Sequence, residues 1–185
     1  PNGKPLDGIP FHPYYTVHDS VAVVVFLMLF SAVVFFAPEM GGYFLEYNNF
    51  IPADPMKTPL HIAPVWYFTP FYSILRANTV NFFGIDGKLW GVIFMGLGTV
   101  IFFLLPWLDR SPVRSIRYRG PIYKFALTLF VVSFLILGWL GTLPPTEGRT
   151  LTAQIFTVVY FLFFILMPWY TKIDKTKPVP ERVTR

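Results

Sequence analysis

The 185-residue sequence is 54% hydrophobic, carries 21 phenylalanines and has a formal net charge of +5. That composition places it in the membrane class, where a basic excess sets orientation beside apolar spans rather than marking nucleic-acid binding. It has no cysteine, which excludes within this chain a disulfide framework, a zinc ribbon, an iron–sulfur cluster and a thioether-attached haem.

The chain opens Pro1-Asn-Gly-Lys-Pro-Leu-Asp7, with no initiator methionine and no cleavable signal peptide, and reads as the middle of a longer polypeptide or as a processed or split one. Residues 1–18 are expected to be a lead-in loop. A first apolar span follows from about Ser20 to Ala37, with Asp19 as its N-cap and Pro38 as its stop. The second runs from about Lys88 to Leu108, and Gly91, Gly96 and Gly98 give it small-residue faces for close helix contact. The third covers about Phe125 to Leu143 and the fourth about Leu151 to Trp169. Each approaches the roughly 20 residues needed to cross a hydrocarbon core of ~30 Å. The fold class expected is therefore an all-α integral membrane protein with four transmembrane helices. Residues 19–170 form its membrane domain, and 171–185 form a basic tail.

Orientation follows from the cations. Arg110, Arg114, Arg117, Arg119 and Lys124 lie between the second and third spans, and Lys172, Lys175, Lys177, Arg182 and Arg185 follow the fourth. Two spans separate these segments, so they share a side of the membrane, and the positive-inside rule makes it the cytoplasmic one. Both termini are then cytoplasmic. The long loop from about 39 to 87 is outside, as is the short turn from Pro144 to Arg149.

That outer loop is unlike an ordinary connection. Between Lys57 and Arg76 it gathers Trp66, Tyr67, Phe68, Phe71 and Tyr72, with Pro59, Pro64 and Pro70 among them. Proline fixes its own φ and restricts its neighbour, so flat rings are carried on a stiff backbone. Two readings fit: the wall of a pocket for a flat apolar ring molecule, or an interfacial aromatic belt. Thr69-Pro70 looks like an N-cap followed by proline at the first helical position. A short helix reaching about Ala77 should follow, with Phe71, Ile74 and Leu75 on one side, lying on the membrane surface as a lid or rim.

No ionisable residue lies well inside a span, which argues against an independent pump or proton channel. The three histidines, His12, His18 and His61, fall in loops or at a span's edge, so no helical pair is available for haem. His18 and Asp19, adjacent where the first span meets the interface, again allow two readings. They can hold or pass a proton, or Asp19 caps the helix while His18 meets headgroups.

At these segments the sequence resembles the C-terminal half of cytochrome b, the membrane subunit of cytochrome bc complexes. Ile9-Pro-Phe-His-Pro-Tyr-Tyr-Thr16 with Asp19 is similar to that family's approach to its fifth helix. Asp54-Pro55, Thr58-Pro-Leu-His-Ile62, Pro64-Val-Trp-Tyr67 and Ile74-Leu-Arg76 resemble its quinol-oxidation loop. Leu166-Met-Pro168 fits the end of its last helix. The likeness covers essentially the whole chain in order.

The resemblance implies the last four of eight helices in a respiratory ubiquinol:cytochrome c oxidoreductase, or complex III, in a bacterial inner membrane, inactive as this chain alone. Electron transfer from ubiquinol would be coupled to proton translocation. It implies Pro64, Val65, Tyr67, Phe68 and Tyr72 at an outer, periplasmic quinol-oxidation pocket, with Trp66 anchoring the loop. It places Phe11, His18 and Asp19 at a quinone-reduction site, Asp19 hydrogen-bonding a quinone carbonyl and supplying protons. His18 stands where many members have lysine, and a histidine titrates nearer neutral pH. The two b haems would be ligated by an N-terminal half absent from this sequence. That half, a Rieske iron–sulfur protein and a c-type cytochrome would be the partners, in a dimeric complex. One departure stands out. The family's loop usually reads Pro-Glu-Trp-Tyr, and Val65 replaces the glutamate that accepts a quinol proton. Tyr67 through water, or a residue of the missing half, would then take that role. A split subunit of a bf-type complex is a rival, though its separate subunit has three spans rather than four. A non-catalytic scaffold is another, which leaves the stiff aromatic loop without a purpose.

Overall fold

The computed structural model of the chain describes residues 6, 8–59, 62–81 and 83–181. His61 and the tail cations Arg182 and Arg185 lie outside the described residues. Two compact units are present: residues up to Tyr47 together with those from Val179, and Asn48–Pro178. Among the described residues, four helices are long and apolar enough to cross a membrane: Tyr14–Phe36, Gly87–Leu108, Pro121–Gly141 and Glu147–Ile165.

The first unit is dominated by α1, Tyr14–Phe36, of which no residue is buried. Its 23 residues begin a turn and a half before the start read from the sequence. Pro13 occupies the N-cap position, and Asp19 lies inside the helix rather than capping it. No breaker separates Pro13 from Asp19, and proline suits a helix start, so the helix extends back through Tyr14 and Tyr15.

The second unit contains α2 (Thr69–Ala77), α3 (Gly87–Val100), α4 (Leu105–Leu108), α5 (Pro121–Gly141), α6 (Glu147–Ile165) and α7 (Met167–Ile173). A 3-10 turn over Ile101–Leu104 joins α3 to α4. Pro106 explains it: with no N–H to give, proline breaks the i to i−4 ladder, and Leu105 N–H bonds instead to Phe102 O. Pro168 acts likewise at the second break, so the fourth span ends at Ile165 and a separate helix, α7, carries Trp169.

The core of this unit is aromatic. Phe130 of α5 stacks on Phe163 of α6 at 4.6 Å and meets Tyr160 at 5.1 Å and Phe164 edge-on at 5.4 Å. Tyr160, fully buried, donates its hydroxyl to Gly98 O of α3 at 2.6 Å. This ties α6 to α3 by a hydrogen bond that lipid cannot replace. Tyr160→Phe keeps the ring and is expected to cost about 1 kcal/mol through loss of this one bond. A lower thermal unfolding midpoint in detergent checks this; an unchanged midpoint would show that the bond contributes nothing.

The two basic segments meet at one end of this unit. Lys177 N–H donates to Tyr118 O at 2.7 Å and Arg110 N–H to Thr171 Oγ1 at 3.1 Å. Asp174 accepts from the N–H groups of Ile122 and Tyr123, capping α5 from a distant part of the chain. The shared side read from the charge pattern is thus borne out by contact.

Candidate functional site

The short helix of the aromatic loop is α2, and its bounds match the sequence reading. It packs against α3, α5 and α6, and Thr69, Pro70, Ser73, Ile74 and Ala77 are buried. Glycines make room for it on both flanks. A Cβ on Gly141 would run into the carbonyl of Thr69, and one on Gly91 into the carbonyl of Leu75. Gly98 faces Phe71 and Ile74, and Gly138 faces Pro70. Of the three glycines expected to give close contact, Gly91 and Gly98 do so, whereas Gly96 faces open space.

Polar contacts fix the helix along its length. Thr69 does not cap with its side-chain oxygen as an acceptor; Oγ1 donates to Trp66 O at 2.6 Å. Ser73 Oγ donates to Leu137 O at 2.5 Å. Arg76 reaches carbonyls at and just beyond the C-terminal end of α5, donating to Leu140 O at 2.8 Å and Leu143 O at 3.0 Å. Its guanidinium also lies 4.8 Å from the centre of the Tyr72 ring. Gln154 of α6 donates to Ala77 O at 2.9 Å, holding the same C-terminal end of α2.

The segment ahead of α2 inherits this fixity. Phe68 N–H donates to Val65 O at 2.8 Å, and Tyr72 N–H to Phe68 O at 3.0 Å, so Val65 to Phe68 forms a turn leading directly into the helix. Trp66 and Tyr67 meet edge-on at 5.6 Å, and Tyr67 and Phe68 lie 5.0 Å apart. Tyr67 and Phe68 remain more than half exposed, at 55% and 53%. Pro64, Val65, Tyr67 and Phe68 thus lie in and beside the turn that leads into α2, and Tyr72 follows one helical turn after Phe68. Chemically this segment offers flat apolar contact and the Tyr67 phenol, and Val65 offers neither a proton acceptor nor a hydrogen bond.

In the first unit, Phe11, His18 and Asp19 fall on or just before the opening turns of α1, all exposed. Tyr14 and His18, one turn apart, stack at 6.4 Å, and Phe11 stacks on Tyr15 at 5.9 Å. His18 lines a shallow cavity of about 580 Å3 with Pro13, Tyr14, Val17, Val21 and Ala22. Phe11 and Asp19 are not in its lining. Asp19 has no hydrogen-bond or ion-pair partner among the described residues, consistent with a carboxylate open to a ligand or to water.

Two features were not anticipated from the sequence. An apolar groove of about 540 Å3 runs between α2, α3 and α6, past Ile74, Phe94, Leu97, Val158 and Phe161. At the basic end, Arg119 is buried and paired with Asp109 at 2.5 Å. Arg119 carried no signal distinguishing it from the exposed cations beside it. Asp109, ten residues earlier, is the one hint.

A family model described as Cytochrome b(C-terminal)/b6/petD matches residues 52–161, which include α2 and the aromatic segment. Cytochrome b of Allochromatium vinosum is 61% identical over 180 residues, covering 97% of this chain and 43% of that protein. Cytochrome b of Rhodospirillum rubrum is 45% identical over 181 residues, covering 97% of this chain and 42% of that protein. The chain therefore spans about two fifths of the length of these relatives. A solved structure described as a hyperthermophilic respiratory Complex III superposes with a TM-score of 0.80 at 37% identity, covering 94% of this chain and 41% of that one.

Proposed function

The chain belongs to the cytochrome b (C-terminal)/b6/petD family, and from that premise we propose that it forms the C-terminal membrane part of cytochrome b in a ubiquinol:cytochrome c oxidoreductase. The observation that carries the proposal is the aromatic segment Pro64–Tyr72, mounted on a helix sunk between three spans. A belt of interfacial aromatics has no use for a helix held at its middle by Ser73 and at its C-terminal end by Arg76 and Gln154. A pocket wall does, because a quinol must be held in one pose to give up its electrons and protons.

In this reading Pro64, Val65, Tyr67, Phe68 and Tyr72 line one side of the quinol-oxidation pocket, and residues outside this chain close the other. Phe11, His18 and Asp19 serve quinone reduction. The Asp19 carboxyl group, in its protonated form, gives a proton to a reduced quinone oxygen, and the carboxylate left behind takes up another from the water it faces; His18 donates a second proton or a hydrogen bond. Quinol oxidation must release protons on the opposite side, and the Tyr67 phenol can relay one through water where Val65 cannot.

The residues described here do not fit haem. His12 and His18 sit in the lead-in and on the exposed opening turns of α1, with no facing histidine among the described residues. Haem ligation falls to the N-terminal part of cytochrome b, which with a Rieske protein and a c-type cytochrome makes up the set of partners, in a dimer. In the bacterial inner membrane, both termini are cytoplasmic and the aromatic loop of about 39–87 is periplasmic. The residues ahead of Tyr14 then form the lead-in, 14–170 the membrane domain and 171–185 the tail.

A reduced-minus-oxidised spectrum of the complex purified through this chain, with intact masses of what accompanies it, tests the proposal. Two b-type signals with a c-type cytochrome and an iron–sulfur protein are expected. A haem-free preparation retaining its other subunits would leave the scaffold reading. Position 65 gives a finer test. Val65→Glu installs a general base, and a carboxylate of ordinary pKa near 4.3 stays deprotonated well below neutrality. Turnover should persist, with the acid limb of quinol oxidation moved about one pH unit lower. An unchanged pH profile in an assembled variant would show that position 65 does not govern proton release.

A further inference from the structure

At the basic end of the second unit a cavity of about 500 Å3 is lined by Pro106, Asp109, Ser111, Arg114, Arg119 and Tyr123. It sits where α4 ends and α5 begins, beside the ends of two apolar spans. Arg119 is 7% exposed, its Nη2 is bonded to Asp109, and its Cζ lies 4.2 Å from the centre of the Tyr123 ring. Its Nη1 is buried and has no acceptor among the described residues. A buried guanidinium N–H without an acceptor is costly, and most such groups in native structures have a partner.

The nearby acids cannot supply that partner. Asp109 already accepts from Arg119 and, through Oδ1, from Ser111 N–H at 3.1 Å. Asp174 is engaged with the N–H groups of Ile122 and Tyr123. Between residues 105 and 124 and between 167 and 178 there is no other acid, against Arg110, Arg114, Arg117, Lys124, Lys172, Lys175 and Lys177. The local excess of positive charge is therefore large, and it borders a cavity at the level of a membrane interface.

We infer that this cavity is an anion site for a phosphate ester, held by Arg119 and Arg114 with the Ser111 hydroxyl. A phosphate presents several strong acceptor oxygens, which suits two arginines and a hydroxyl better than a carboxylate's two. Interfacial phosphate is abundant as lipid headgroup, and basic pockets between spans on the side of the positive loops take such headgroups. Free phosphate has the same chemistry.

The complex, purified from its membrane and stripped of loosely held lipid by detergent exchange, is titrated with dihexanoyl phosphatidylglycerol and separately with inorganic phosphate, followed by 31P NMR. One saturable bound phosphorus per chain is expected. Arg114→Gln and Ser111→Ala should each weaken it about fivefold or more, as loss of a charge-assisted or hydroxyl contact does. Arg119→Gln should abolish it, but it also breaks the pair with Asp109. Arg114 is exposed, so its variant, which leaves the fold intact, is the deciding one. Saturation by the lipid with no competition from inorganic phosphate identifies a headgroup site; equal saturation by inorganic phosphate identifies a site for the free anion. No bound phosphorus in either titration, or binding that Arg114→Gln and Ser111→Ala leave unchanged, would overturn the inference.

Discussion

Gly141→Ala is expected to lower quinol oxidation about a hundredfold while the complex still assembles, the scale of loss that a displacement of ~1 Å in a catalytic wall produces. The added Cβ would fall on the carbonyl carbon, carbonyl oxygen and Cβ of Thr69, closer than real side chains approach. These are main-chain and Cβ atoms of the first residue of α2, not the far end of a flexible side chain, so the clash can be relieved only by moving α2. Tyr72 lies within that helix, and the turn from Val65 to Phe68 leads straight into it. Gly96→Ala is the matched control. That glycine has nothing within 4 Å of its would-be Cβ, and replacing it within α3 should be silent or stabilising by up to about 1 kcal/mol. Steady-state turnover with haem content of both variants decides the matter. Equal turnover in the two would show that the packing of α2 against α5 does not set the site.

Arg76→Ala should have the second-largest effect. The guanidinium makes two charge-assisted hydrogen bonds, to Leu140 O within the last turn of α5 and to Leu143 O just beyond it, each worth about 1.5–3 kcal/mol, at the end where the helix dipole favours a cation. It also braces the Tyr72 ring. Since Arg76 is only half-buried, water recovers part of the loss, and a destabilisation of about 3 kcal/mol is expected. Arg76→Lys keeps the charge but not the planar fork that spans two acceptors, so it should recover about half. Thermal unfolding of the three proteins, with the quinol KM measured beside turnover, separates stability from placement. Full rescue by lysine would show that charge alone matters and that the bidentate geometry does not.

The spans were legible because hydropathy over ~20 residues is a local signal, and α2 was legible because Thr69-Pro70 marks a helix start. What the sequence did not disclose is where α2 goes. Its burial is decided by glycines remote in the chain, Gly138 and Gly141 above all, which read locally as nothing more than helix composition. The start of α1 was misread because an Asp-Ser pair is a strong N-cap signal, yet nothing N-terminal to it stops the helix before Pro13. Arg119 was hidden for a similar reason: an arginine in a positive loop is ordinarily solvated, and only the fold shows it enclosed with Asp109 and Tyr123. The aromatic and proline content of residues 57–76 set that loop apart, but composition left a pocket wall and an interfacial belt both open. The assignment to quinol rests on family likeness.

Photo-crosslinking with an azido-quinone in the native membrane, mapped by peptide mass, is the most direct test. Label on Pro64–Tyr72, with a second population on Phe11–Asp19, is the expected result. Label confined to the apolar groove at Phe94, Leu97 and Val158, with both segments unmodified while turnover is lost, would contradict the assignment of the aromatic segment as the quinol wall.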